Sequence, residues 1–128
     1  MATPTALAER VRHRLMAAEH AAAFREVVQF VDDFAAFDPE MSRAAVEEEP
    51  PTTGDLRWDA LIAAAVDWVS SVRHWPAPAW TSGARWKLDA PGWVVSPYER
   101  LHPSIREQTP EEFARHGVYV DRASLQSV

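Results

Sequence analysis

The spacing of apolar residues in the first third of the chain predicts two amphipathic helical segments. Leu7, Val11 and Leu15 recur every four positions between arginines and glutamates, which predicts a first helix over residues 5–22. In the segment 24–34 the valines and phenylalanines share one helical face, and two aspartates lie on the opposite face. This second segment either continues the first helix or follows a bend.

Two further helices are predicted before residue 73. The Asp-Pro pair at 38–39 has the order of a helix start, and a run of glutamates followed by two prolines ends a short third helix over 39–48. A turn at Gly54 then leads to Asp55, which can cap the next helix. A broad apolar stripe continues to about residue 72 and predicts the central core helix.

The stretch HWPAPAWTSGARWKLDAPGWVVSP, residues 74–97, follows neither helical nor strand periodicity. It contains four tryptophans, four prolines and two glycines, a composition that excludes a long helix or a central strand. We therefore expect short turns throughout this segment.

The C-terminal pattern predicts a short helix followed by a β-like run. Thr109 and Pro110 have N-cap and first-turn character, and Gly117 marks the end of a helix of barely two turns. Residues 118–120 favour a short strand, and Asp121 can cap a last turn.

Together these patterns predict a mainly α fold. We expect one domain over residues 1–128, with four to five helices, a long Trp/Pro-rich irregular segment and at most a short β pair near the C-terminus. A chain of 128 residues with 47% apolar composition can build a single modest core. Residues 1–49 supply the N-terminal helices of this domain, and residues 50–128 supply the remainder.

Composition also limits the compartment and the chemistry. The chain has no run of eighteen apolar residues, and its N-terminus is too polar for a signal peptide, so we expect a cytoplasmic protein that does not enter a membrane. The absence of cysteine excludes disulfides, thiolate metal sites and cysteine nucleophiles.

The net charge of −6 is concentrated in the middle of the chain. Residues 26–59 contain ten acidic residues against two arginines, whereas residues 1–25 have an excess of arginine. An acidic middle repels phosphate backbones, so we do not expect the chain to bind nucleic acid by itself. The acidic residues either form solvated helix faces or receive a basic protein partner.

No arrangement typical of catalysis or of metal binding is visible in the sequence. The five histidines never occur at the i,i+4 spacing that places two ligands on one helix face, and paired carboxylates are adjacent, so they point to different sides. Neither a nucleophile elbow nor a phosphate-binding loop occurs. We therefore predict no catalytic residue, no metal site and no cofactor.

The tryptophans outside the helices are the strongest candidates for function. A loop tryptophan either pins an irregular segment to the core or serves as an exposed anchor for another protein. Trp58 and Trp68 lie on the periodic central helix, and we expect both in the core. The candidate partner-binding residues come from the irregular segment and its end: Trp75, Trp80, Arg85, Trp86, Trp93, Tyr98.

Four pieces of the sequence resemble a domain found in actinobacterial regulators and antitoxin-like proteins. These are PPTTGDLRWDALIAAAVDWV (50–69), PAPAW (76–80), WKLDAPGWVVSP (86–97) and PEEFARHGVYVDRASLQSV (110–128). In that family the domain commonly follows a DNA-binding helix-turn-helix domain and is encoded beside a nucleotidyltransferase-type or other toxin. The resemblance implies a protein partner, and no catalytic residue is carried over from it. Residues 1–49 do not contain a clear helix-turn-helix with a basic recognition face.

Three functions from different classes are consistent with these observations. The first is a non-catalytic domain that binds and neutralises a cognate toxin or similar partner. The second is a small enzyme or small-molecule-binding protein with a tryptophan-lined pocket, in which His74, Tyr98 or His116 supplies polar contacts. The third is a DNA-binding regulator that uses its N-terminal arginines. The sequence leaves the partner and the oligomeric state open, including self-association.

Overall fold

A computed structural model describes residues 3–36 and 43–125, which form a mainly α domain. The helices are Pro4–Met16 (α1), His20–Ala36 (α2), Leu56–Val72 (α3), His102–Gln108 (α4) and Glu111–Ala114 (α5). The strands are Trp93–Val94 (β1) and Val118–Tyr119 (β2), and short 3-10 turns cover Ala79–Ser82, Ala84–Trp86, Glu99–Leu101 and Arg122–Leu125. The predicted fold class is confirmed. Within the described residues, every helix is too short or too polar to cross a membrane.

The predicted first helix is shorter than expected because the chain bends after Met16. Ala18 adopts a left-handed conformation with φ of 59°, and the amides of Ala18 and Glu19 donate back to the carbonyls of Leu15 and Arg14. This is the hydrogen-bond pattern of a helix end, which usually has glycine at the left-handed position. The predicted end at residue 22 is therefore wrong, and the alternative of a bend before the second segment is correct.

The predicted third helix, over residues 39–48, falls partly outside the described residues. Positions 37–42 are not described, and a single helical turn is present at 43–45. Val46, directly after this turn, is fully buried in the core. The segment therefore contributes at least one side chain to the core.

The central helix α3 begins where the sequence predicts it. The Asp55 carboxylate accepts a hydrogen bond from the amide of Arg57 at 2.8 Å, which caps the first turn. The buried carboxylate of Asp59 accepts from both the amide and the hydroxyl of Thr53, at 2.7 and 2.8 Å, and from the hydroxyl of Thr52 at 2.6 Å. These bonds fix the Thr-Thr-Gly-Asp turn to the helix that follows it.

Helix α3 is surrounded by the rest of the molecule. It contacts α1, α2 and α5, and its side chains from position 58 to 67 are all buried. Four of these residues are alanines, whose small side chains allow such close approach: Ala60, Ala63, Ala64, Ala65. Residues from both ends of the chain therefore pack into one core around α3.

The C-terminal half differs from the sequence prediction in two respects. Helix α4 was not predicted, since Ile105 is its one buried apolar residue and gives no periodic signal. The helix after Thr109 was predicted at barely two turns, but α5 contains only four residues. The β-like run at 118–120 is confirmed as β2, which pairs in parallel with β1, with Trp93 opposite Val118.

Two glycines allow the close approach of chain segments beside this strand pair. Gly117 has φ of 75°, and a Cβ placed on it would lie 2.6 Å from the carbonyl oxygen of Leu88. The φ of Gly92 is 77°, and a Cβ there would lie 2.3 Å from the carbonyl oxygen of Gly117. A side chain at either position would push apart the segments that form the sheet.

We expect Gly117→Ala to destabilise the protein more than Gly54→Ala. Both glycines have positive φ, so each substitution costs about 1–2 kcal/mol in backbone conformation. A Cβ on Gly54 meets nothing within 4 Å, whereas the clash at Gly117 adds about 1–3 kcal/mol of overpacking. Urea denaturation of both variants measures the difference, and equal losses would contradict the close packing against Leu88.

Candidate functional site

Two of the loop tryptophans fasten the irregular segment to the core. Trp86 is completely buried, and its indole Nε1 donates to the Glu49 carboxylate at 2.7 Å. Trp80 is half-buried and donates to the carbonyl of Val46 at 2.9 Å. The two rings meet edge to face with their centroids 5.0 Å apart. Both indoles therefore bind the segment before α3 to the segment after it, and Trp86 has no surface left for a partner.

The remaining candidates from the sequence have more exposed positions. Arg85 is exposed and lies over the Trp86 ring, 4.2 Å from its centroid. Trp75 is half-buried with Arg73 above its ring, and Tyr98 is 61% exposed. Each of these three side chains leaves surface that another molecule could contact. None of them lines the apolar groove described next.

Trp93 lies in an open apolar groove, which we call the Trp93 groove. The groove has a volume of about 540 Å³ and is bordered by the first turns of α2 and α3 and by β1 and the residues after it. Trp58 forms part of its floor, with its ring centroid 5.3 Å from that of Trp93. Further apolar walls come from residues of two segments: Phe24, Val94, Val95, Pro97.

An arginine and a histidine border the Trp93 groove. The guanidinium of Arg57 lies 5.2 Å from the Trp93 ring centroid, and the imidazole of His20 lies 6.5 Å from the Trp58 ring. Arg57 also pairs with Asp55 at 3.5 Å, but this pair is exposed and therefore weak. The groove thus combines aromatic surface with a cation at its edge.

A second candidate site is built around Asp67, a buried carboxylate of α3. Arg115 donates to both of its oxygens in a bidentate pair, from Nε to Oδ2 and from Nη2 to Oδ1, each at 2.8 Å. His116 is buried, with Nε2 3.1 Å from Asp67 Oδ2 and Nδ1 2.7 Å from the carbonyl oxygen of Trp86. This cluster connects α3 to the turn after α5 and to the tryptophan segment.

The hydrogen bonds set the charges in this cluster. Burial raises the pKa of Asp67, but hydrogen bonds from His116 and Arg115, together with their charges, hold that pKa below its ordinary value. The hydrogen bond between Arg115 and Asp67 also raises the pKa of Arg115. Asp67 is therefore a carboxylate and Arg115 a cation at neutral pH.

The geometry also determines which hydrogen bonds the His116 ring makes. A carbonyl oxygen can only accept, so Nδ1 carries a proton and donates a hydrogen bond to the carbonyl oxygen of Trp86. Nε2 then faces a carboxylate and makes a hydrogen bond only when it too carries a proton. Both ring nitrogens therefore face acceptors of the protein, Nδ1 toward Trp86 and Nε2 toward Asp67. These contacts hold the His116 ring between the tryptophan segment and α3.

Several residues of the acidic middle have structural roles. Asp55 caps α3, Asp59 is buried in the turn before it, and Glu49 accepts from Trp86. Glu26 pairs with Arg10 at 2.7 Å. These acids are committed to local contacts, whereas the exposed Glu47 and Glu48 remain on the surface.

The N-terminal arginines are partly neutralised by the same acids. Arg10 and Arg14 of α1 pair with Glu26 of α2, and Arg14 also reaches Glu19 at 3.3 Å. Two of the four cations that a DNA-binding function would use therefore already have carboxylate partners.

Comparison of the chain with protein-family models, with curated proteins and with solved structures finds no match. Within the described residues, no group of three or more histidine and carboxylate side chains is arranged to hold a metal ion.

The sequence identified Trp93 as a candidate binding residue, but it did not identify most of the residues that line the groove with it. Phe24, Arg57 and Trp93 are far apart in the chain, and only folding brings them to one groove. The Asp67 cluster was missed for the same reason, since Asp67 and His116 are separated by 49 residues. An aspartate in the middle of an apolar helix stripe was the one available signal, because a buried charge requires a partner.

Proposed function

We propose that this protein is a non-catalytic binding domain, antitoxin-like in its resemblance, that neutralises a toxin-like partner protein. The Trp93 groove is the observation that carries the proposal. It is an apolar surface lined by aromatic side chains, and such side chains supply most of the energy at binding hot spots. The residues that form its floor, Trp58 and Trp93, lie in the part of the chain that resembles antitoxin-like domains.

The groove favours an apolar segment that carries an acidic side chain. A carboxylate on the partner can pair with Arg57, whose exposed contact with Asp55 is easily exchanged. An apolar or aromatic side chain next to that carboxylate can then pack against Trp93 and Val95. Charge at the edge supplies orientation, and the apolar floor supplies affinity.

A small-molecule ligand of the same groove is the second candidate function. The volume of about 540 Å³ lies within the roughly 300–1,000 Å³ typical of ligand pockets. Ligand binding would quench the fluorescence of Trp93 and raise the melting temperature in a small-molecule screen. A partner protein would leave such a screen flat.

We expect Ala21→Arg to abolish binding of the partner encoded by the adjacent gene. Ala21 is an exposed residue of α2 on the groove wall, so the larger side chain obstructs the groove without removing any core contact. Co-expression followed by co-purification measures complex formation, and rescue of growth measures neutralisation. The control is Ala44→Arg, which makes the same change at an exposed position outside the groove and should retain both activities.

Three outcomes would count against this proposal. An adjacent gene product that forms no complex and shows no toxicity would remove the partner. Equal loss in Ala21→Arg and Ala44→Arg would indicate a general effect of added charge. A complex unaffected by Ala21→Arg would place the interface elsewhere on the protein.

A further inference from the structure

A polar cleft next to the Asp67 cluster forms a site separate from the Trp93 groove. It has a volume of about 290 Å³, and no residue lines both sites. Its polar walls come from four places: α3, the 3-10 turn Ala79–Ser82, the residue that follows the 3-10 turn Ala84–Trp86, and the turn after α5. The polar residues of these walls are Asp67, Thr81, Ser82, Lys87, Arg115 and His116. Polar side chains from four separate segments therefore converge on one small space.

The charge of this cleft is positive although the protein as a whole is acidic. Lys87 and Arg115 contribute two cations, and the one carboxylate of the cleft, Asp67, already has both of its oxygens bound. Asp67 compensates only one of these positive charges. Glu111 and Glu112 on α5 lie near enough to influence Arg115, but neither lines the cleft.

Lys87 provides a cation that has no partner in the part of the chain that the structure describes. It is the single lysine among the thirteen basic residues of the chain, and its side chain is exposed. Within the described residues, its ammonium group makes neither an ion pair nor a hydrogen bond. An ammonium is a compact cation with three donors, and it can bind an anion from several directions.

Arg115 provides a second cation in a fixed position. Its Nε and Nη2 atoms are held by the buried Asp67 carboxylate, while the side chain remains 48% exposed. The Nη1 group makes no bond within the described residues and can donate to a ligand. Because Asp67 has already fixed the side chain, little conformational entropy is lost when an anion binds.

A hydroxyl group completes the set of donors. The Ser82 side chain is exposed and forms no hydrogen bond within the described residues, so its O–H can donate to an anion. Thr81 differs, because its hydroxyl donates to the carbonyl of Pro78 at 2.8 Å. Lys87, Arg115 and Ser82 thus offer three independent donors, which suits a tetrahedral anion with at least three oxygens.

We propose that this cleft binds the phosphoryl group of a small molecule, or phosphate itself, between Lys87 and Arg115. Charge-assisted hydrogen bonds from the ammonium and the guanidinium hold the anion, and the Ser82 hydroxyl binds a third oxygen. The volume of about 290 Å³ lies just below the roughly 300–1,000 Å³ typical of ligand pockets, which limits the ligand to a small size. This site does not depend on partner binding at the Trp93 groove.

Titration of the full chain with inorganic phosphate tests this proposal, with chloride used to keep the ionic strength constant. Two-dimensional NMR should detect saturable shifts in the amides of Ser82, Lys87 and Arg115. Lys87→Gln should lower the affinity by about tenfold or more, because it removes one charge-assisted hydrogen bond. Its melting temperature should be unchanged, since the Lys87 side chain is exposed and makes no bond within the described residues.

Arg100→Gln is the matched control, because it removes one exposed cation at a position outside the cleft. We expect it to change the phosphate affinity by less than about twofold, through general electrostatics alone. Equal weakening by both variants would indicate nonspecific attraction and would overturn the proposal. Saturable shifts confined to other residues, or no saturation in the wild type, would also overturn it.

A parallel titration with glycerol phosphate distinguishes the two sources of the anion. Tighter binding of the monoester than of phosphate would identify a phosphorylated small molecule as the ligand class. Tighter binding of phosphate would identify the free ion. In both cases Lys87→Gln must weaken the binding. A monoester affinity that is unchanged by this substitution would contradict the assignment of the site to this cleft.

Discussion

Trp86→Ala should destabilise the protein by about 3–5 kcal/mol, the cost of truncating a large buried aromatic side chain. The indole is completely buried, packs edge to face on Trp80 and donates to Glu49. Its removal leaves a cavity where the irregular segment meets α3 and an unbound Glu49 carboxylate. Chemical denaturation followed by circular dichroism measures the loss.

Tyr98→Ala is the control for removal of a large aromatic ring. Tyr98 is 61% exposed, so we expect its truncation to change stability by less than about 0.5 kcal/mol. If Trp86→Ala does not fold, Trp86→Phe keeps most of the ring and loses the bond to Glu49, which permits a measurement. A stability loss in Trp86→Ala no larger than that in Tyr98→Ala would assign Trp86 to the surface and restore it as a partner contact.

Asp67→Ala should destabilise the protein by about 2–4 kcal/mol, because it removes a buried carboxylate that accepts charge-assisted hydrogen bonds. Arg115 and His116 would both lose the carboxylate that binds them, and His116 is buried. The exposed Glu107 of α4 is the control, and its replacement by alanine should cost less than about 0.5 kcal/mol. Equal costs would mean that the Asp67 cluster contributes nothing to stability.

The Asp67 network also predicts the direction of a pH dependence. The folded protein holds the pKa of Asp67 below its unfolded value of about 3.9, so the stabilisation is fully present above that pH. It is lost as the pH falls further, through the folded pKa. The stability difference between wild type and Asp67→Asn should therefore shrink as the pH falls below about 4. A difference that grows below that pH would contradict the assigned charge of Asp67.

The local patterns of the sequence predicted much of the secondary structure. The cap at Asp55 and the apolar stripe that follows it define α3, because both signals lie within a few residues of the structure they specify. The bend after Met16 was less visible, since the left-handed position is occupied by Ala18 rather than glycine. Helix α4 gave no periodic signal because it buries a single apolar side chain.

The candidate sites could be predicted only in part. Trp93 was identified as a binding candidate by its type and its position in an irregular segment, and it does line a groove. Trp86 was identified by the same argument, yet it is fully buried. Composition cannot separate these cases, because an indole suits a core and an interface equally well.

The sequence by itself determined the mainly α class, the position of the central helix and the absence of thiol chemistry, because these depend on periodicity, capping and residue type. Tertiary structure alone decided which tryptophans are buried, that Asp67 meets Arg115 and His116, and that Lys87 and Ser82 share a cleft with them. The physical reason is separation along the chain. Contacts between residues nearly 50 positions apart depend on how α3 packs against the C-terminal segment, and no local pattern encodes that packing.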